Sequence, residues 1–173
     1  MFGQRALVLG GSASGKSSFA EGLARDTGRA RIYLATAQAF DAEMAQKVAR
    51  HQQLRGDGWH TIEAPLDPGP VLAEARADQV VLLDCATMWL SNHMLAGDDL
   101  DVAEAALMAG LAACRAQVII VSNELGLSVV PDYALARRFR DAQGRLNQRL
   151  AAQADLVALV MAGLPMALKG TLP

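Results

Sequence analysis

The sequence predicts an α/β fold, with a mostly parallel sheet flanked by helices on both faces in one domain spanning residues 1–173. Three observations point there. Short runs at 6–9, 79–83 and 117–121 are almost wholly apolar rather than alternating, as strands covered on both faces are. Longer segments between such runs carry apolar residues at helical spacing. The two kinds alternate along the chain, an order that lays helices on both sides of a parallel sheet.

Each element has its own warrant. Four apolar residues at 6–9 precede a glycine pair and read as the first strand. A helix follows over 17–25, because Phe19 with Leu23 and Ala20 with Ala24 recur one turn apart. A second strand covers 31–35. Residues 40–54 read as a helix from the one-turn spacing of Met44 and Val48. Strands come next at 59–63, stopped by Ala64-Pro65, and at 79–83, ending at Asp84. Helices are expected over 87–95 and over the Ala- and Leu-rich 100–114. The strand at 117–121 ends in Ser122-Asn123-Glu124, a long polar-faced helix spans 133–154, and a last core strand covers 156–161. Gly163-Leu164-Pro165 then turns into a short tail. In open α/β sheets functional groups collect at the carboxyl ends of the strands. Four such ends are polar here: Gly10-Gly11-Ser12, Thr36, Asp84 and Ser122-Asn123-Glu124.

Composition narrows the function. The chain has 173 residues, 52% hydrophobic and 20% charged, which excludes a disordered polar chain and suffices for a core without staples. Lys+Arg 16 against Asp+Glu 18 leaves a net charge of −2, so no nucleic-acid partner is expected. Cys85 and Cys114 lie in separate segments without C-x-x-C spacing; buried reduced thiols are expected rather than a disulfide framework or zinc site. The run at 6–9 is too short for a signal-peptide core, and no stretch approaches a membrane span. A cytoplasmic location is expected.

The most specific local signal is Gly10, Gly11, Ser12, Ala13, Ser14, Gly15, Lys16 and Ser17, which fits G-x-x-x-x-G-K-[ST] between an apolar strand and an amphipathic helix. The glycines let successive backbone N–H groups turn inward as an anion nest, and the helix N-terminus adds partial positive charge. Lys16 is placed to reach the β- and γ-phosphates, and the Ser17 hydroxyl to hold Mg²⁺. The expectation is therefore a P-loop NTPase-like fold. Asp84, at the end of a second buried strand, suits the Mg²⁺ shell; capping the following helix is its structural alternative. The loop alone names only a nucleoside triphosphate. No N-K-x-D segment is present, which argues against a GTP switch.

Other residues leave two readings each. His51 follows Val48 and Met44 at helical spacing, as a core histidine would, but Arg50 and Arg55 beside it suit a phosphate pocket. A neutral imidazole is a competent nucleophile toward an α-phosphorus. Glu63 either accepts hydrogen bonds from guanine or ribose or is a solvated strand end. Asn123-Glu124 either handles a substrate hydroxyl or forms a cap or turn. Arg137, Arg138, Arg140 and Arg145 share one helix, with Asp141 one turn beyond Arg137, so a salt-bridged solvent face is expected in part. His60 and His93 are assigned packing or surface roles.

Further segments recur in a set order: Ala35-Thr36-Ala37; Arg50-His51; Thr61-Ile62-Glu63-Ala64-Pro65; Leu83-Asp84-Cys85 with Thr87-Met88-Trp89; Ser122-Asn123-Glu124-Leu125-Gly126; Arg137-Arg138-Phe139-Arg140-Asp141; and Ala162-Gly163-Leu164-Pro165. With the glycine loop they closely resemble the bifunctional adenosylcobinamide kinase / adenosylcobinamide-phosphate guanylyltransferase family of cobalamin biosynthesis. The resemblance implies two reactions. ATP or GTP phosphorylates adenosylcobinamide; GTP then donates GMP to adenosylcobinamide phosphate, giving adenosylcobinamide-GDP and pyrophosphate. It implies a guanylylated histidine at His51. It also implies nucleotide contacts at residues 10–17, at Ala35, Thr36 and Ala37, at Gln52, Gln53, Leu54 and Arg55, and at Glu63 and Asp84. A homotrimer is implied as well. Many members carry Arg where this chain has Ala13; any contact from that side chain is missing, while the backbone amides remain. The rivals are a kinase of another small hydroxyl substrate, with His51 silent, and a nucleotide-dependent switch.

Overall fold

The computed structural model of the chain describes residues 2–38 and 56–173. The helix expected over 40–54, with His51, and the stretch Gln52, Gln53, Leu54 and Arg55 lie outside the described residues. Seven strands form one sheet: β1 (Arg5–Gly10), β2 (Ala30–Ala35), β3 (Trp59–Glu63), β4 (Gln79–Asp84), β5 (Gln117–Asn123), β6 (Leu156–Met161) and β7 (Leu164–Lys169). Their spatial order is β3-β2-β4-β5-β1-β6-β7. All neighbours run parallel except β6 and β7, which are antiparallel.

The uninterrupted apolar runs are explained by two cores, one on each face of the sheet. Along β1, Leu7 and Leu9 enter one core while Ala6 and Val8 enter the other. Val81 and Leu83 alternate in the same way with Val80 and Leu82, and Val118 and Ile120 with Ile119 and Val121. Successive side chains of a strand point to opposite faces, so a strand covered on both sides must be apolar at every position. Helix α1 (Lys16–Asp26) covers one face with Ala20, Leu23 and Ala24. The other face takes α2 (Gly69–Glu74), α3 (Ala86–Ala96), α4 (Leu100–Ala113) and α5 (Ala134–Gln153) through Leu72, Trp89, Leu90, Leu107, Leu111, Leu146 and Leu150. Burying side chains such as Leu7, Leu82 and Ile119, all fully enclosed, stabilises the fold by about 1.5–3 kcal/mol each.

Most expected elements form within a residue or two of their expected ends, and Cys85 and Cys114 are buried free thiols. Three expectations are corrected. The tail after Gly163 is instead strand β7, paired to β6 across a two-residue turn at Ala162 and Gly163. Helix α2 lies in a stretch between the third and fourth strands for which no element was expected; prolines are tolerated in a helix's first turn, where no N–H partner is lost. Arg137 does not pair with Asp141: its guanidinium donates to the carbonyls of Pro131 and Asp132, and Asp141 lies 3.8 Å from Arg140. Carbonyls at the start of the helix lie within its reach and hold the incoming loop. No described helix is long and apolar enough to cross a membrane.

Candidate functional site

The strand order brings the expected site residues to one edge. Glu63 of β3 stands beside Ala35 of β2, and Ala35 beside Asp84 of β4. Gly10 of β1 stands beside Asn123 of β5 and Val160 of β6. β5 separates the Asp84 strand from the loop strand, placing their backbones about 10 Å apart at two strand spacings.

The loop at residues 10–17 joins β1 to α1. Ser14 N donates to Gly11 O at 3.3 Å, and Lys16 Nζ lies 3.1 Å from the same carbonyl. Gly15, the residue before α1, has φ 92°, a backbone that lets the chain reverse into the helix without a Cβ penalty. It offers no side-chain cap, and the first turn of α1 has no acidic residue. The Lys16 N–H donates to Ser14 Oγ at a long 3.4 Å, and the dipole at the helix start favours an anion. Ala13 also has positive φ, at 56°, and is exposed. Lys16 and Ser17 are half-buried at the helix start.

Asp84 is half-buried, with Tyr33 donating its hydroxyl to Oδ2 at 3.0 Å. It does not cap α3; the Cys85 sulfur does, accepting from Met88 N at 3.4 Å. The Cys85 thiol is pushed up to about 11, first by burial and then by the Asp84 carboxylate, with Lys16 opposing. The Lys16 ammonium and the Asp84 carboxylate thus both act on one thiol. Thr36 is fully buried, and its hydroxyl both donates to Cys85 O at 2.7 Å and accepts from Cys85 N at 2.8 Å. Its side chain therefore joins the ends of β2 and β4 rather than facing solvent. Ala35 and Ala37 are half-buried and Glu63 is exposed.

The end of β5 is held by polar residues that sequence reasoning left unassigned. Ser122 Oγ donates to Asn147 Oδ1 at 2.7 Å, Gln143 Nε2 donates to Ser122 Oγ at 2.9 Å, and Asn147 Nδ2 donates to Asn123 O at 3.0 Å. Thr87 Oγ1 accepts from Asn123 N at 2.8 Å. The signal was present: Gln143 and Asn147 sit four apart on the buried stripe of α5 that also carries Ala142, Leu146 and Leu150. Glu124 donates its backbone N–H to Gly10 O at 3.1 Å, while its carboxylate accepts from Gly126 N at 2.6 Å, the turn role. His93 is buried against Trp89, with Nδ1 2.7 Å from Asp98 Oδ2 and Nε2 2.9 Å from Leu66 O, a packing role. His60 is exposed.

Comparison with known proteins adds five likenesses. The family model described as cobinamide kinase / cobinamide phosphate guanyltransferase matches residues 6–168. The bifunctional adenosylcobalamin biosynthesis protein CobP of Pseudomonas aeruginosa is 46% identical over 169 residues, covering 96% of this chain and 98% of that protein. CobU of Escherichia coli, with the same description, is 38% identical over 179 residues, covering 94% and 98%. Among solved structures, the flagellar accessory protein FlaH of Methanocaldococcus jannaschii superposes with TM-score 0.52 at 16% identity, over 98% of this chain and 80% of that one. An ATPase of a bacterial type III secretion system does so with TM-score 0.55 at 13% identity, over 96% and 57%. At such identities these structures speak for the fold alone, an α/β fold with a mostly parallel sheet flanked by helices.

Proposed function

The chain belongs to the cobinamide kinase / cobinamide phosphate guanyltransferase family, and from that membership we propose how its residues carry the two reactions. It is a bifunctional enzyme of cobalamin biosynthesis: it phosphorylates adenosylcobinamide, then transfers GMP from GTP to the new phosphate with release of pyrophosphate. The observation carrying the assignment of residues is the single sheet edge that holds the glycine loop, Asp84 and Glu63.

In the kinase step the nucleotide's phosphates lie in the nest of residues 10–17. Lys16 leaves the Gly11 carbonyl for the β- and γ-phosphate oxygens, where charge develops during transfer. The Ser17 hydroxyl and the Asp84 carboxylate are hard oxygen donors suited to Mg²⁺, and the Tyr33 hydroxyl orients that carboxylate. Bound there, Mg²⁺ neutralises charge on the phosphate oxygens. Thr36 has its hydroxyl engaged with Cys85, its N–H with Asp84 O and its C=O with Asn92 Nδ2, so it shapes the segment from within while the half-buried Ala35 and Ala37 line the nucleotide's side.

In the second step His51 attacks the α-phosphorus of GTP: a P–N bond forms, the bond to pyrophosphate breaks, and pyrophosphate leaves. The phosphate of adenosylcobinamide phosphate then displaces the imidazole, giving the GDP-linked product and restoring His51. Gln52, Gln53, Leu54 and Arg55 flank the bound GMP, and Glu63 accepts from its guanine or ribose. Two things support this: the match of the His51 segment to the family, and the exit of the chain toward that segment from the sheet's carboxyl edge after Ala35. We place the enzyme in the cytoplasm as a homotrimer on the family likeness. Leu164, Met166 and Leu168, each more than half exposed on edge strand β7, support an apolar contact between subunits.

Incubation with α-labelled GTP followed by denaturation tests the covalent step. Label is expected on the protein, stable to alkali and lost in acid as a phosphoramidate. Label that is absent, or that persists in His51→Ala, refutes the role of His51.

A further inference from the structure

We propose that the turn between β6 and β7 is a positioning element of the phosphate loop, with Gly163 as its positioning residue; this rests on the reading that residues 10–17 bind the nucleotide. Three backbone approaches join the two segments, which lie about 150 positions apart. Gly163 N donates to Ser14 O at 2.8 Å. A Cβ on Gly15 would come 3.0 Å from Gly163 Cα, and one on Gly10 would come 2.7 Å from Val160 O. The hairpin therefore forms the back wall of the loop.

The hydrogen bond sets the direction of one peptide. In a planar trans peptide the carbonyl and the following N–H point opposite ways. Holding the Ser14 carbonyl back against Gly163 turns the Gly15 N–H the other way, into the nest where a phosphate oxygen sits. Without that anchor the Ser14–Gly15 peptide is free to rotate, and the nest loses one aligned donor.

The turn is built for the contact. Ala162 and Gly163 have φ 52° and 79°, and Met161 pairs with Leu164, the geometry of a two-residue hairpin with both central residues at positive φ. A Cβ at Gly163 would meet nothing within 4 Å, so a substitution there acts through the backbone and not through a clash. Gly97, after α3, has the same φ of 79° and equally open surroundings, which makes it a matched control away from the loop.

The test is isothermal titration of the full chain with GTP and with ATP in Mg²⁺, alongside melting temperature, for Gly163→Val, Gly163→Ala, Gly163→Asn and Gly97→Val. Asn tolerates positive φ, whereas Val does not. Gly163→Val is expected to raise Kd for both nucleotides roughly tenfold, about the loss of one charge-assisted hydrogen bond. KM for nucleotide should rise in both reactions while Gly163→Asn stays within about twofold of wild type. Gly97→Val is expected to lower the melting temperature similarly with Kd unchanged. If Gly163→Val does not fold, the milder Gly163→Ala carries the same comparison. Unchanged Kd in a folded Gly163→Val or Gly163→Ala, or equal weakening in Gly97→Val, overturns the proposal. Lys16→Ala in the same titration separates the two readings: if it too leaves affinity intact, the loop is not the nucleotide site.

Discussion

Replacing Thr36 by Val should destabilise the fold far more than its size change suggests. The side chain is fully enclosed, and its hydroxyl satisfies both Cys85 N–H and Cys85 C=O. Valine keeps the volume and strands the buried Cys85 N–H, while Cys85 C=O still accepts from Trp89 N at 3.1 Å. An unsatisfied buried donor costs about 1–3 kcal/mol, and the substitution should cost roughly that. Thr36→Ser keeps the hydroxyl and removes one methyl, at about 1 kcal/mol. Urea denaturation should show a lower midpoint for the Val variant with an unchanged slope, since the surface exposed on unfolding is the same. For a chain of this size the melting temperature should fall by roughly 5 °C. Because Cys85 follows Asp84 directly, kinase activity at saturating nucleotide should fall as well. If the Val and Ser variants match within about 0.5 kcal/mol, the Thr36 hydroxyl does not hold β2 to β4 and the reasoning fails.

Three other outcomes are expected. Lys16→Ala should lower both activities by about two orders of magnitude or more while leaving the melting temperature near wild type, because its described contact is one half-exposed carbonyl; a near-normal kinase rate in the folded variant would contradict it. His51→Ala should abolish guanylyl transfer, by roughly 10³-fold or more, and keep kinase activity within about tenfold, followed as phosphate and GDP-linked product in one assay; joint loss of both would assign His51 to the shared nucleotide site. Stability should fall between pH 9 and 11, because the Cys85 thiol is held up to about 11 from an ordinary 9.0, chiefly by burial and then by Asp84. In that window the unfolded chain has released a proton the folded chain retains, so the contribution is full below pH 9 and fades toward 11, by about 2–3 kcal/mol. Cys85→Ala should lack this extra slope in denaturant titrations across the window; parallel curves would show that the thiol does not titrate so high.

The legible parts of this protein were those written in adjacent residues. Residues 80–83 are apolar and run into an acid at 84, which already specifies a buried strand with a polar end, and β4 covers that stretch. The glycine loop was legible because its glycines and Lys16 act through their own backbone and helix start. Strand β7 was not. Leu164-Pro165-Met166-Ala167-Leu168 shows no polar alternation, and Pro165 argues against a central strand; only an edge position beside β6 accommodates it. The salt-bridged face expected in part on α5 is made by Arg140 with Asp141, while Arg137, one turn from Asp141, reaches instead the Pro131 and Asp132 carbonyls just before the helix.

Sequence alone therefore determined the fold class, the glycine loop between β1 and α1 and the family, because periodicity and short motifs act through neighbours in the chain. The tertiary structure decided which residues share the edge. Placing β5 between β1 and β4 sets Asp84 two strands from the loop, and placing β6 beside β1 brings Gly163 behind Ser14. It also gave the Thr36 hydroxyl to Cys85 and tied Gln143 and Asn147 to the end of β5. Each of these depends on strand order. A buried polar group takes whatever partner the folded sheet places within 3 Å or so, and that partner is chosen by packing across the whole chain, not by separation along it.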